Sequence, residues 1–345
     1  MDNMVNLYKT RTMLGAVENI PTNESFLIDT FCGASETFPT SSIDIDFVKG
    51  KKKMSPFVSK YVNGIQVERN VVATKNYEPA KIQPSRVLTV ETLEQRLAGE
   101  ALYSNKTPAQ RAADLLEKDL FELKSMNKRR KEWIVAQSLF NGKYIAKVHI
   151  DKDNTVSEDF DFGHTFATTV AKKWSVADSD PIADLLAESN KIAASCGQRP
   201  SIVVMNDVTA EAFLNNAKVQ AIFDKWNINI GTIQPSVKST QVQYIGRLLR
   251  PAVEIYTYAE SYVDEEGATH TFVPDGKVLI ACPKIFSFKY AAHTQMENKQ
   301  FVTYMGEDIP KYDAVDSENV AKLTLTSKPV PVPFDVDAWA TLSVL

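Results

Sequence analysis

The chain has 345 residues, of which 44% are hydrophobic and 24% are charged, and its 43 acidic and 39 basic side chains give a net charge of −4. This composition excludes a wholly disordered chain, because enough apolar residues are present to bury a core. The near-balance of charge excludes a broad basic surface that would bind nucleic acid. No apolar run approaches the roughly 20 residues that span a bilayer, and the first residues lack a secretory signal, so we expect a protein made and kept in a cytoplasm.

The first 85 residues are predicted to form extensions instead of a self-contained domain. Residues 1–48 carry short apolar patches between polar and turn-forming residues, which indicates an arm with one short helix that packs on something else. Residues 49–85 contain strand-like alternation, and the Asn63-Gly64 pair is a strong turn signal between strands. Because an isolated hairpin is only marginally stable in water, we expect this one to pack against a neighbouring surface.

A single long helix is predicted over residues 108–140. Thr107 suits the N-cap, a proline follows at the first helical position, and Gln110 completes a capping-box pattern. Apolar residues then recur at close to helical spacing until Asn141-Gly142 ends the helix. A helix of this length measures roughly 50 Å and outreaches the core of one small domain, so we expect it to act as a strut.

The remaining sequence predicts an α+β domain and then closing strands. Asp180-Pro181 opens a second capped helix, and a short apolar strand, one or two helices and an antiparallel meander follow, up to about residue 300. Residues 301–345 hold two β-like runs separated by alternating prolines. Those prolines forbid a central strand and favour an extended edge or corner. The predicted fold class is therefore α+β.

Motifs for catalysis are missing from the sequence. It contains no G-x-S-x-G elbow, no P-loop and no Cys-x-x-Cys pair. The three cysteines, Cys32, Cys196 and Cys282, are far apart and odd in number, so no disulfide framework is implied and reduced, buried thiols are expected.

One acidic segment is the best candidate for a metal site. It combines three carboxylates with an imidazole, a donor set that suits a divalent ion: Glu158, Asp159, Asp161 and His164. A solvated acidic loop before a strand is the favoured interpretation, so we predict no catalytic, cofactor-binding or metal site.

Two basic runs are candidates for contact surfaces. The first lies at the start of the hairpin region and the second inside the long helix: Lys49, Lys51, Lys52 and Lys53, then Lys128, Arg129, Arg130 and Lys131. They favour contact with nucleic acid or with acidic groups on a neighbouring subunit, and a solvated face is the alternative. Consecutive charges on a helix point in several directions, which weakens the interpretation of the second run as one patch.

The order of these elements resembles the shell-protein fold of tailed-phage capsids, with an arm, a long hairpin, one very long helix, an α+β domain and closing strands. Local segments narrow the likeness to the lambda-like major head protein family. These segments are Ser55-Pro56 with Val58-Ser59, the stretch from Pro79 to Pro84, Tyr262-Val263, Phe272-Val273-Pro274-Asp275, and the C-terminal stretch with Asp335 and Asp337.

This resemblance implies a division of the chain after the arm. Residues 49–85 would be an extended loop that lies over an adjacent subunit, and residues 86–180 a peripheral domain with helix 108–140 as its spine. Residues 181–300 would be the axial domain, which meets its copies around five- and six-fold axes. Residues 301–345 would close the peripheral domain.

The resemblance also implies the function. It indicates a major capsid protein, not an enzyme, that self-assembles into the icosahedral shell around phage DNA, as a virion component assembled in the host cytoplasm. The implied partners are copies of itself as hexamers and pentamers, portal and scaffolding proteins, a decoration protein where one binds, and packaged DNA on the inner face, with no membrane. The two basic runs and the Asn63-Gly64 turn are the candidate subunit-interface residues.

Two alternatives stay open at the level of sequence. Another virion component or an encapsulin-like shell protein would share the same fold, because fold alone does not fix function. A metal-dependent hydrolase built on residues 158–164 is the remote alternative from another class.

Overall fold

A computed structural model describes residues 8–21, 25–49, 55, 57, 61, 66, 71–95, 106–150, 154–226, 236–239, 241–297, 299–315 and 319–345. The helices in these segments are α1 (Thr10–Asn19), α2 (Phe26–Phe31), α3 (Val90–Glu94), α4 (Pro108–Asn141), α5 (Pro181–Ser195), α6 (Asp207–Leu214) and α7 (Ala217–Trp226). None of these helices combines the length and apolar character that crossing a bilayer requires.

The strands up to the end of α7 are β1 (Glu36–Phe38), β2 (Ile43–Lys49), β3 (Val71–Tyr77), β4 (Ser85–Thr89), β5 (Lys143–His149), β6 (Thr155–Asp161), β7 (Ala167–Thr169) and β8 (Ile202–Met205). Those that follow are β9 (Ser236–Ser239), β10 (Val242–Leu249), β11 (Ala252–Tyr258), β12 (Ser261–Val263), β13 (Thr269–Thr271), β14 (Lys277–Ala281), β15 (Phe286–Ala291), β16 (His293–Glu297), β17 (Gln300–Tyr304), β18 (Ile309–Val315), β19 (Val320–Thr326), β20 (Pro329–Pro333) and β21 (Trp339–Ser343).

The long helix α4 has the termini that its sequence predicts. The Thr107 hydroxyl accepts a hydrogen bond from the Gln110 amide, and the Gln110 side chain accepts one in return from the Thr107 amide at 2.9 Å. Gly142 ends the helix with φ +69°, the left-handed conformation that glycine adopts without a steric penalty. The helix has 34 residues and ends at Asn141, one residue beyond the prediction.

Helix α4 joins two hydrophobic clusters. Its N-terminal half contributes Leu120 and Leu123 to a small cluster with residues of α1 and β19. Its C-terminal half contributes Val135 and Leu139, both fully buried, to the large core. A helix whose two halves pack in separate clusters connects them as a strut.

The large core is built around a seven-stranded mixed sheet with the order β7-β21-β14-β8-β11-β10-β9. Its central strands β8 and β14 are nearly continuous apolar runs, as expected for strands covered on both faces. The predicted antiparallel meander after the helices is only partly right: β10 and β11 pair in antiparallel register, but β8 lies between β11 and β14 and pairs with β11 in parallel. Strand β21 pairs with β14, so the last strand of the chain lies in this sheet.

The hairpin region begins earlier than predicted. Strand β2 pairs with β3 in antiparallel register from Ile43 opposite Tyr77 to Lys49 opposite Val71. The boundary between arm and hairpin therefore lies near residue 43, not at 49, and β4 at the other end belongs to the β18-β19-β4 sheet. The arm itself carries two helices, α1 and α2, where one was predicted.

The alternating prolines at 329, 331 and 333 lie in β20, an edge strand of the sheet β1-β15-β20. This position confirms the prediction of an edge, since proline has no N–H with which to continue a ladder on its outer side.

Candidate subunit interface

The basic run on α4 splits into inward-facing and outward-facing side chains. Arg129 is exposed and Lys128 is half-buried. Arg130 forms an ion pair with Glu265 at 2.5 Å and lies over the ring of Trp133. The four consecutive charges therefore do not form one patch, as helical geometry requires.

Lys131 points into the protein, which corrects its assignment as an interface residue. Its ammonium lies 3.1 Å from Asp308, and the two side chains are only 6% and 7% exposed. Asn127 donates to the other carboxylate oxygen of Asp308 at 2.8 Å, and the ring of Tyr290 lies beneath the Lys131 ammonium. This buried ion pair ties α4 to the segment before β18, so Lys131 is not available to a neighbouring subunit.

The next residue on α4, Glu132, forms a buried junction that fastens the arm to the body. Its carboxylate accepts hydrogen bonds from the backbone amides of Leu27 and Ile28, at 2.8 and 3.1 Å. The Tyr258 hydroxyl also lies 3.0 Å from this carboxylate and approaches Glu260 on its other side. Burial outweighs these donors and raises the pKa of Glu132 to about 7. Arm, strut and sheet thus meet at one carboxyl group.

The base of the β2–β3 hairpin is fixed against the β5–β6 hairpin. Tyr77 stacks on Phe160 with 5.7 Å between ring centroids, and its hydroxyl donates to the Asp161 carbonyl at 2.7 Å. Lys75 donates to the same carbonyl at 2.9 Å. Elsewhere β2 and β3 contact chiefly each other. The hairpin is thus anchored at residue 77, and it leads away from that point toward residues 49 and 71.

One candidate residue of the hairpin region belongs to a described strand. Lys49 is the last residue of β2, opposite Val71. The others lie outside the described residues: Lys51, Lys52, Lys53, Asn63 and Gly64.

The residues of the acidic segment do not converge on one point. The His164 ring stacks on Trp339 at 4.3 Å between centroids, and its Nδ1 lies 2.8 Å from the Val336 carbonyl. Asp159 is 3.3 Å from Lys143, and Asp161 accepts from the Gly163 amide. In the described segments, no three His, Cys, Asp or Glu side chains are grouped as metal ligands would be.

An exposed apolar pair lies on the β16–β17 hairpin, where sequence analysis indicated no special surface. Met296 and Phe301 are directly opposite each other across the two strands, and they are 51% and 76% exposed. Cross-strand neighbours share one face of a hairpin, so these side chains form one apolar surface.

Comparison with known proteins identifies the family. The family of phage major capsid protein E matches residues 9–344, so the chain belongs to it. The major capsid protein of Enterobacteria phage P21 is 20% identical, and the match covers 98% of this chain and 99% of the relative.

Two solved structures share the fold. The putative capsid protein of a prophage of Escherichia coli CFT073 has a TM-score of 0.66 at 16% identity and covers 97% of this chain and 99% of its own. A phage-related protein from Bordetella bronchiseptica RB50 has a TM-score of 0.51 at 11% identity and covers 96% of both chains.

Family membership confirms the resemblance seen in the sequence and the α+β capsid fold. The chain is a major capsid protein, a structural virion subunit that assembles with copies of itself into the capsid shell, and it is not an enzyme. The interpretation as an encapsulin-like protein and the hydrolase alternative are thereby set aside.

Proposed function

We propose that the chain segment between β2 and β3 reaches over an adjacent copy in the shell. The observation that carries this proposal is the two-stranded β2–β3 sheet, whose strands contact chiefly each other. Such a ribbon buries little of its own surface and is marginal in water, so a second surface is needed to stabilise it. The anchor at Tyr77 fixes the direction in which the ribbon leaves the body.

The division of labour within the subunit follows from the same proposal. Residues 181–300, which begin with α5, form the axial domain. This domain meets its copies around five- and six-fold axes and so forms pentamers and hexamers. Residues 86–180, with α4 as spine, together with most of 301–345, form the peripheral domain. Strand β21 pairs with β14 of the axial unit, so the sheet joins the two units.

Further partners belong to the same proposal. A portal, a scaffolding protein, packaged DNA on the inner face and, where one binds, a decoration protein complete the assembly, which takes place in the host cytoplasm. Family membership supports these partners. The half-buried Lys128 and the exposed Arg129 are the described residues of this run that we assign to an acidic partner, either DNA or a neighbouring subunit.

A loop replacement tests the reach of the hairpin. Lys49 and Val71 are directly opposite each other, so residues 50–70 can be replaced by Asn-Gly, which closes a two-residue turn without changing the register of β2 and β3. We expect the variant to fold with the unfolding midpoint of the wild type and to fail to form closed shells in electron micrographs.

A matched control replaces residues 50–70 with a scrambled sequence of equal length and composition. This control preserves loop entropy and charge but not specific contacts, so it should also fail to assemble. Normal shells from the Asn-Gly variant would refute the proposed reach of the loop. A variant that unfolds would instead show that the loop stabilises its own subunit, which contradicts the proposal as well.

A further inference from the structure

A row of three side chains leads from the buried Glu132 toward the protein surface. The Tyr258 hydroxyl, on β11, lies 3.0 Å from Oε1 of Glu132 and 2.5 Å from Oε2 of Glu260. Glu132 and Tyr258 are each 1% exposed, whereas Glu260 is half-buried. The hydroxyl therefore connects an interior carboxyl group with one that reaches solvent.

The number of protons fixes the direction of the hydrogen bonds in this row. The Tyr258 hydroxyl has one proton and can donate it to only one of the two carboxyl groups. Its contact with Glu260 has the length of a charge-assisted O–H···O⁻ bond, so the hydroxyl donates to an ionised Glu260. The contact with Glu132 is then a hydrogen bond only if Glu132 is protonated and donates to the hydroxyl oxygen.

The surroundings of Glu132 agree with this assignment. In the described part of the chain, its hydrogen-bond donors other than Tyr258 are the backbone amides of Leu27 and Ile28, which carry no net charge. Burial is the largest cause that raises its pKa to about 7, and the charge of Glu260 raises it further. The negative charge of the row is thus better placed on Glu260, where water can solvate it.

The other titratable groups around this junction have different partners. On the arm, Asp29 is exposed and accepts from the Ser25 amide at 3.3 Å, and burial raises the pKa of the Cys32 thiol. The Lys284 ammonium donates to the backbone carbonyls of Asp29 and Cys32. The pairs on α4, on β11 and on the β12–β13 hairpin are Lys131 with Asp308, Arg130 with Glu265, Tyr256 with Glu254, and His270 with Asp264.

We propose that Glu132, Tyr258 and Glu260 form a proton-controlled switch, in which loss of the Glu132 proton turns the Tyr258 hydroxyl from Glu260 to Glu132 and releases the Glu260 side chain into solvent. The proton leaves to water, and no other bond is formed or broken. The ionised Glu132 then accepts the hydroxyl proton of Tyr258, which one hydroxyl cannot also give to Glu260.

The switch responds to pH in one direction. Below the midpoint Glu132 keeps its proton and Tyr258 keeps Glu260, and above the midpoint that contact is lost. Glu260 directly precedes β12, so a proton lost from the interior changes a contact at the surface beside the β12–β13 hairpin. The switch lies within one subunit and does not depend on assembly.

Infrared difference spectroscopy of the dissociated full chain at different pH values tests the proposal, because a protonated carboxyl group has a C=O stretching band that an ionised one lacks. We expect the wild type to lose such a band with a midpoint near pH 7, and Glu132→Gln to show no such change. Glu260→Gln should lower the midpoint by about 1–2 pH units, because the charge-assisted hydrogen bond that favours the protonated form is removed.

Two further variants separate the switch from simple charge repulsion. Glu260→Asp keeps the negative charge but shortens the side chain, so the bond to Tyr258 is lost and the midpoint should fall as in Glu260→Gln. The matched control Glu254→Gln removes the carboxylate beside Tyr256 on the same strand and should leave the midpoint unchanged.

A wild-type midpoint that persists in Glu260→Asp would overturn the proposal, since charge alone would then account for the protonation of Glu132. A wild-type chain without a protonated-carboxyl band at pH 6 would overturn it as well. Glu260 is half-buried, so its variants decide the question even if Glu132→Gln fails to fold.

Discussion

The buried pair of Lys131 and Asp308 offers a test of how α4 is held in place. Replacing Lys131 by Met keeps most of the apolar stem and removes the ammonium, which leaves the Asp308 carboxylate with Asn127 as its remaining described donor. Both side chains of the pair are less than one-tenth exposed, so solvent screens the stranded charge poorly. Stranding a buried charge costs about 3–5 kcal/mol, and we expect a loss of this size.

Urea unfolding of the dissociated chain measures the effect. Lys131→Met should lower the free energy of unfolding by the full amount, and the double variant Lys131→Met/Asp308→Leu should recover much of it, because neither charge remains. Lys128→Met, one turn away on the same helix and half-buried, is the matched control and should change stability by less than about 1 kcal/mol. If Lys131→Met leaves stability unchanged and abolishes assembly instead, Lys131 is an interface residue after all and the reasoning is refuted.

Three further predictions concern the strut and its junctions. Because burial raises the pKa of Glu132 from 4.5 to about 7, the folded chain holds a proton that the unfolded chain releases, so this group's contribution to stability is full below pH 4.5 and is lost as pH rises through 7, by about 3 kcal/mol. Glu132→Gln should remove that part of the pH dependence in unfolding curves recorded from pH 4.5 to 8. Gly142→Ala should destabilise by about 2 kcal/mol or more, since φ is +69° and the new Cβ would lie 2.8 Å from that of His164. Gly163→Ala, at φ +71° with no atom within 4 Å of the new Cβ, is its control and should cost about 1 kcal/mol in the same urea titration. Thr107→Ala removes the N-cap acceptor of α4 and should lower the unfolding free energy by about 1 kcal/mol.

Each of these expectations has a contrary result. An unchanged pH profile for Glu132→Gln would mean that the carboxyl group titrates normally in the folded chain. Equal costs for the two glycine variants would mean that the contact with His164 relaxes without penalty. A Thr107→Ala variant as stable as the wild type would mean that water replaces the cap.

Sequence reasoning succeeded where the signal is local. The capping box at Thr107, the glycine after α4 and the prolines of β20 act through their own backbone or within one helical turn, so residue type and spacing predict the structure. The hairpin between β2 and β3 was predicted from alternation and a turn signal, but its start was placed six residues late because the two strands select their register from each other.

Sequence reasoning failed where partners are remote. The buried ammonium of Lys131 pairs with Asp308, and the carboxyl group of Glu132 is hydrogen-bonded to Tyr258. Strand β21 pairs with β14, which lies about 60 residues earlier in the chain. A basic run looks the same whether its members face water or a buried carboxylate. Pairs of this kind are decided by topology, which residue spacing does not encode.

Cryo-electron microscopy of the self-assembled full chain, at a resolution that separates subunit boundaries, tests the central claim most directly. A closed shell in which residues 50–70 of each copy rest on the body of the next one is the predicted image. A chain that stays solitary at high concentration, or a particle in which that segment lies against its own subunit, would contradict the account.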